Sequence, residues 1–334
     1  MLAGAITAGA AVPGSLKPGA RPAPGRSTAA HAPAAYAAGA AAKAAFHAVT
    51  ASSAGMKIST FTVGYSATLT EVMDIDAASG YAGTSIGDDF YYCSFTTNSS
   101  GGITAVDWRC IDMDTHAQKW SKPQTTANAV CMDMTLDPYS GTVYGMSAMT
   151  DALVTIDEAT GEVTSAVSTL PFYTLAADMG GSLYGILLQN DGTGALYTVN
   201  PKTGTAAKIG DTGVKMLTSD GVSYFQTAAF SRTDGQLYWL TPSATGTDLY
   251  RVDVTTGRAS ALCTLATMEA LCLFDLPAVQ AAGSPAPASA LGSRVMDSSI
   301  LIYFNAPAKS VDGTDLSSLT AIAVSYTHLT LPTT

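Results

Sequence analysis

The sequence has little of what most chemistry needs. Of its 334 residues four are histidine, five are cysteine, and 13% are charged. Within the region that repeats, described below, the one histidine is His116. Ser-His-Asp or Cys-His catalysis and histidine-based metal centres therefore have almost no material to work with, and neither a metal nor a cofactor is expected. The cysteines are too few for a disulfide scaffold and show no CxxC spacing. Lys and Arg number 16 against 26 Asp and Glu, a formal charge of −10, and they form no cluster. That excludes nucleic acid or an anionic membrane surface as the main partner, because both bind through clustered cations. No uninterrupted apolar run approaches the roughly 20 residues of a spanning helix, so no membrane insertion is expected, and the chain is expected to be a monomer.

What the sequence does have is repetition. Asp253 to Gly257 reads DVTTG, Asn200 to Gly204 NPKTG, Asp157 to Gly161 DEATG and Asp112 to His116 DMDTH. Each copy follows an apolar residue (Ile111, Ile156, Val199, Val252), and each has Asp or Asn three residues before Thr, as in Asp112 and Thr115. An Asp or Asn side chain can accept a bond from the backbone N–H two residues on, and Gly supplies the positive φ that closes a bulged hairpin. The anchors lie 45, 43 and 53 residues apart, a period that marks a propeller or a similar array.

A second landmark, Gly, any residue, Val or Leu, then Tyr, precedes three of these turns: Gly141 to Tyr144, Gly181 to Tyr184 and Gly235 to Tyr238, with a looser Asp89-Phe-Tyr91 in the earliest unit. One unit reads strand, Gly turn, Tyr strand, loop, strand, Asp-Thr-Gly turn, strand. Four strands make one propeller blade. The alternative, unrelated hairpins in a sandwich, gives no reason for both landmarks to recur in the same order. The expected fold is all-β. Whole units span 80–122, 127–169, 172–212 and 222–266, and strands at 57–75 and 268–276 complete a shared blade from both ends of the domain, leaving no open sheet edge. That gives five blades. Because the shared one holds only three strands, six or seven stay open.

Residues 1–56 are read as an Ala/Pro-rich disordered leader, since so few large apolar groups cannot offset the entropy of ordering them; Ala propensity alone allows some helix over 34–49. Its opening run, LAGAITAGAAV, resembles the apolar part of a secretory signal, although no Lys or Arg precedes it. The propeller is placed at 57–277, with an Ala/Pro-rich linker at 278–289. At 290–323, a strand at Ser299 to Phe304, the loop Ala306 to Gly313 (APAKSVDG) and a strand at Leu319 to Val324 resemble the first half of a fibronectin type III domain as found in secreted bacterial proteins. The remaining 324–334, VSYTHLTLPTT around its join at Val324, resembles the in-frame translation of a sequencing adaptor, which would make the chain a fragment.

Two readings of the cysteines stay open. If the hairpin turns at Gly101-Gly102, Cys93 faces Cys110, and either a cross-strand disulfide or two buried thiols results. Cys263 and Cys272 are a second, weaker pair, and Cys131 reads as core. His116 is read as a turn residue tolerating unusual φ. The carboxylates Asp88, Asp89, Asp133, Asp137, Asp178 and Asp234 sit near predicted turns, where Asp is favoured structurally; two of them converging at the propeller mouth would permit glycosidase-type acid/base work. Neither Asp191-Gly192 nor Asp312 to Asp315 completes a calcium loop.

Asp112, Thr115 and Trp120 have the Asp, Thr, Trp spacing of the tryptophan-docking motif of quinoprotein-like propellers, and the blade pattern is similar to WD40-like repeats. The other units have Ser165, Lys208 and Ala261 where Trp would stand. The resemblance implies propeller architecture and no quinone. The order of leader, Tyr-rich propeller and fibronectin-type module resembles secreted or surface-bound proteins of gut-type anaerobic bacteria, which implies export. The expected function is a non-catalytic exported platform for a glycan or a protein. The competing expectations are a carbohydrate-active hydrolase or lyase with carboxylates at the mouth, and a purely structural surface protein.

Overall fold

The computed structural model describes residues 3–7, 43–53, 55–78, 80–124, 130–216, 225–267, 269–276, 289–296 and 299–305. Every element among them is a strand. In chain order these are β1 (Ala3–Thr7), β2 (Ala45–Ser52), β3 (Gly55–Thr62), β4 (Thr70–Ile75), β5 (Gly80–Ile86), β6 (Asp89–Thr97), β7 (Ile103–Asp112) and β8 (Ala117–Pro123). There follow β9 (Cys131–Asp137), β10 (Thr142–Ser147), β11 (Ala152–Ile156), β12 (Val163–Ser168), β13 (Thr174–Ala177), β14 (Leu183–Leu188), β15 (Thr193–Val199) and β16 (Ala206–Lys215). The last are β17 (Thr227–Phe230), β18 (Leu237–Ser243), β19 (Gly246–Val252), β20 (Ala259–Leu265), β21 (Glu269–Phe274), β22 (Ser289–Met296) and β23 (Ser299–Asn305).

Residues Ala41–Pro277 form one unit of five four-stranded antiparallel sheets: β5 to β8, β9 to β12, β13 to β16, β17 to β20, and β21-β2-β3-β4. This is a five-bladed β-propeller. The fifth blade joins both ends of the domain, as expected, but through one strand more than the sequence reading gave. Val49 of β2 pairs with Cys272 of β21 and with Ile58 of β3. The propeller therefore begins near Ala44 and not at residue 57. Phe46, Ala48 and Val49 are fully buried, so a half-buried alternation hidden at the end of an Ala-rich stretch prevails over helix propensity.

Five apolar clusters fill the five spaces between adjacent blades. Innermost strands are buried on both faces, as in Gly80–Ile86 and Thr174–Ala177, while outermost strands such as Val163–Ser168 are mostly exposed. Five blades bring the inner strands close around the axis, and β9 touches β17 across it. Small residues such as Ala82, Ala176 and Ala228 stand there. A Cβ at Gly83 would meet the Tyr91 carbonyl at 2.6 Å and Phe90 at 2.7 Å.

Both sequence landmarks lie at one end of the barrel, because in an up-and-down sheet the first and third turns share an end. In the Asp-Thr-Gly turns Asn200 Oδ1 and Asp253 Oδ1 accept from the N–H two residues on, Lys202 at 2.9 Å and Thr255 at 2.7 Å, as predicted, whereas Asp157 Oδ1 accepts from Thr160 N, three residues on, at 2.8 Å. Asp112 Oδ1 does so from Thr115 N at 2.8 Å. His116 takes the positive φ, 57°, that Gly161, Gly204 and Gly257 take elsewhere. The Thr160 and Thr255 hydroxyls, which donate to Asp157 and Asp253 at 2.9 and 2.6 Å, together with these backbone bonds hold both carboxyls below the usual carboxylate range.

Two of these turns also clasp the preceding blade through hydrogen bonds. Trp108 Nε1 of β7 donates to the Glu158 carbonyl at 2.9 Å, and Thr169 Oγ1 donates to the Gly204 carbonyl at 2.7 Å. The tryptophan that docks on a turn is thus Trp108 and not Trp120, which instead packs edge-on against Tyr91 at 5.7 Å with Lys122 Nζ 4.5 Å above its ring.

The Cys93 to Cys110 pairing is corrected by register. Asn98 Oδ1 accepts from the N–H groups of Ser100 and Gly102, which starts the turn one residue earlier, and a bulge between Thr96 and Thr97 absorbs the difference. Cys93 faces Trp108 and Cys110 faces Tyr91, and all five cysteines are thiols. Cys272 donates to the Gly83 carbonyl at 3.2 Å.

By itself, the second unit contains a three-stranded antiparallel sheet in the order β1-β23-β22. The strand expected at Ser299 to Phe304 is present as β23. The rest of the fibronectin-type reading, most of the leader and linker, and the adaptor-like end lie outside the described residues.

Candidate functional site

The innermost strand of each blade turns one backbone edge toward the axis, and unpaired N–H groups there would be costly. Side chains satisfy them and link the blades into a ring. Leu136 N–H donates to Thr84 Oγ1 at 3.1 Å, joining blades one and two, and Ala177 N–H donates to Thr135 Oγ1 at 3.0 Å, joining two and three. Leu273 N–H donates to Thr227 Oγ1 at 2.9 Å, joining four and five, and Ser85 Oγ donates to the Asp275 carbonyl at 2.6 Å, joining five to one.

At the centre stands Asp133, fully buried. Its Oδ2 accepts from Leu175 N at 3.0 Å and Ala228 N at 3.2 Å; its Oδ1 accepts from Met134 N and Thr227 Oγ1, each at 3.1 Å. One carboxyl group thus ties blades two, three and four across the axis and closes it.

Burial pushes the Asp133 carboxyl up to about 8 against the pull of those four bonds. The folded chain therefore keeps a proton that the unfolded chain, titrating near 4, gives up. Stability from this group is full below pH 4 and is lost as pH rises toward 8. Burial also raises Asp275 and Glu269, with the same sign. His47, lowered by burial, acts oppositely, adding stability as pH rises through its range. With Asp133 the group pushed furthest, urea midpoints are expected to fall between pH 5 and pH 8; a rise across that interval would contradict a raised Asp133 carboxyl.

On the side of the two sequence landmarks the axis opens into a shallow mouth of about 40 Å³, space for one or a few waters and not for a drug-sized ligand. Its floor has Thr84, Ser85 and Asp275, and its walls Leu136, Pro138, Met179, Phe230 and Arg232. Two side chains at this end are exposed: Met179, 56%, which lines the mouth, and Tyr139, 74%, which follows the lining residue Pro138. They sit on the first turns of adjacent blades, where a Cβ on Gly181 would lie 3.2 Å from the Tyr139 Cβ.

Arg232 and Asp275 form the polar part of the mouth. The Arg232 backbone N–H donates to Asp275 Oδ2 at 2.6 Å, and its guanidinium donates to Ser85 Oγ at 3.3 Å. The other four of its five N–H groups and the Oδ1 of Asp275 have no hydrogen-bond partner among the described residues. Nor is Asp275 Oδ1 among the sealed, unpartnered polar atoms.

The carboxylates singled out from sequence are each engaged locally. Asp89 is held by Lys119 at 2.7 Å, and the Asp88 carbonyl accepts from Met113 N at 3.2 Å. Asp137 accepts from Tyr139 N at 2.8 Å, Asp178 from Gly180 N at 2.9 Å, and Asp234 from Gln236 N at 3.1 Å. These are turn caps, and the repeated tyrosine serves two of them: Tyr184 and Tyr238 donate to Asp178 and Asp234 at 3.3 and 2.7 Å. Asp133 is in the axis, but its carboxyl faces backbone. Sequence reasoning missed Arg232 and Asp275. Asp275 carried a signal, since it follows its inner strand as Asp178 follows its own, in the place where Asp137 ends another. Among the described residues no group of His, Cys, Asp or Glu has the arrangement of a metal centre.

No protein family and no curated protein matches the sequence. Among solved structures the chain is similar to one from a nidogen/laminin complex at 9% identity and a TM-score of 0.42, covering 70% of this chain and 98% of that one. It is also similar to a putative 6-phosphogluconolactonase from Bacteroides uniformis at 10% identity and 0.40, covering 69% and 98%. A protein of unknown function from Bacteroides caccae matches at 10% and 0.41, covering 70% and 98%. At these values the likenesses add nothing to the sheet order.

Proposed function

We propose that this propeller is a non-catalytic, exported binding platform whose ligand sits at the mouth lined by Met179 and Arg232 and extends to the exposed Tyr139 on the adjacent turn. The observation that carries the reading is an exposed methionine, Met179, lining the same mouth as Arg232 and Asp275, whose polar groups are left open, with the exposed Tyr139 on the adjacent turn. Exposed apolar groups ringing a polar recess are the ordinary chemistry of a recognition site. The axial carboxylate, which an enzyme would need at the mouth, is spent on backbone N–H groups. Export and a fibronectin-type spacer are part of the proposal and rest on the sequence resemblances alone.

The hydrolase alternative is separated by turnover. Prolonged incubation with mixed polysaccharides is expected to release no reducing ends. Release that disappears in Asp275→Asn would overturn the platform reading. Replacing Tyr139 by Ala is expected to weaken ligand binding at least tenfold while leaving the melting temperature within about 2 °C, since an exposed side chain contributes little to stability.

A further inference from the structure

The chemistry of the mouth narrows the ligand class, and this step rests on the mouth being the binding site. We infer that the ligand is a neutral saccharide, its ring laid against Tyr139 and one hydroxyl or hydroxymethyl group entering the axial cavity.

Size comes first. About 40 Å³ admits a group the size of one or a few waters, which fits a hydroxymethyl arm. Charge comes second. The open guanidinium of Arg232 donates and the open oxygen of Asp275 accepts, on residues joined by a 2.6 Å bond. A hydroxyl group does both at once, so it matches the pair. An anionic group would gain Arg232 but face the Asp275 carboxylate and a chain of formal charge −10, and a cation would face Arg232. The rim comes third. Tyr139, Pro138 and Met179 offer an apolar shelf, and the electron-rich face of an aromatic ring attracts the polarised C–H bonds of a sugar face.

The test uses the full chain and three immobilised probe sets: neutral oligosaccharides of gluco, galacto and manno configuration, the same sugars carrying carboxylate or sulfate, and a peptide library. Each set is read with wild type, Tyr139→Ala, Arg232→Ala and, as a control at the opposite end of the barrel, Met149→Ala. The expected result is binding of a neutral set that falls tenfold or more in Tyr139→Ala and in Arg232→Ala and is unchanged in Met149→Ala. Tyr139-dependent binding confined to acidic sugars or to peptides overturns the saccharide inference and leaves the platform standing. Neutral binding indifferent to Tyr139, or no Tyr139-dependent binding in any set, overturns both.

Discussion

Asp133→Ala should lower the unfolding free energy by about 4 kcal/mol or leave the chain unfolded. The side chain is fully buried and accepts from three backbone N–H groups and one hydroxyl. Each buried donor left without a partner costs about 1–3 kcal/mol, and incoming water recovers part of that. Asp133→Asn separates charge from geometry. It keeps the shape but sets an amide NH₂ against either Leu175 and Ala228 or Met134 and Thr227, so a loss of about 2–3 kcal/mol is expected. It also removes the titration, and the decline in stability from pH 5 to pH 8 should flatten. Urea denaturation of the three proteins measures both effects. If Asp133→Ala stays within about 1 kcal/mol of wild type, the axis is not held by this carboxylate.

The second large effect is expected at Gly204. Its φ is 70°, and a Cβ there would overlap the carbonyl of Ser168 in the preceding blade. Gly204→Ala combines a left-handed backbone, about 1–2 kcal/mol for any other residue, with overpacking at a blade interface, about 1–3 kcal/mol. A total near 3 kcal/mol is expected. Gly141 is the control. Its φ is 72° but nothing lies within 4 Å of its Cβ position, so Gly141→Ala should lose only the backbone part. Equal losses at both positions would show that the Asp-Thr-Gly turns close hairpins without clasping the neighbouring blade.

Much of this fold was legible because its repeats are written in turn chemistry. Asp157, Asn200 and Asp253 recur since each must satisfy backbone N–H groups of its own turn, and Gly recurs where φ is positive and the preceding blade is close. His116 stands in one copy with a φ of 57°, a region that His tolerates. The strand β2 was not legible: Phe46, Ala48 and Val49 are its apolar signal, and they follow directly on an Ala-rich stretch. The register of the Cys93 hairpin was missed because Asn98, and not the Gly pair, sets where the chain reverses.

The site was less legible than the fold. Tyr139 has no periodic signal, and its meaning comes from exposure. Arg232 and Asp275 lie 43 residues apart and meet only because the last inner strand returns beside the fourth blade. Asp133 was flagged among the carboxylates, but as a group near a turn. Its actual role depends on three inner strands that sequence spacing does not bring together.

The most direct test of the central claim, that recognition occurs at the landmark end of the axis, is amide hydrogen exchange with and without a saturating mixture of neutral oligosaccharides. Slowed exchange is predicted in segments 134–142, 177–183 and 228–235, which carry Tyr139, Met179 and Arg232. Protection confined to 146–151 and 170–173, at the opposite end around Met149 and Leu170, would contradict it.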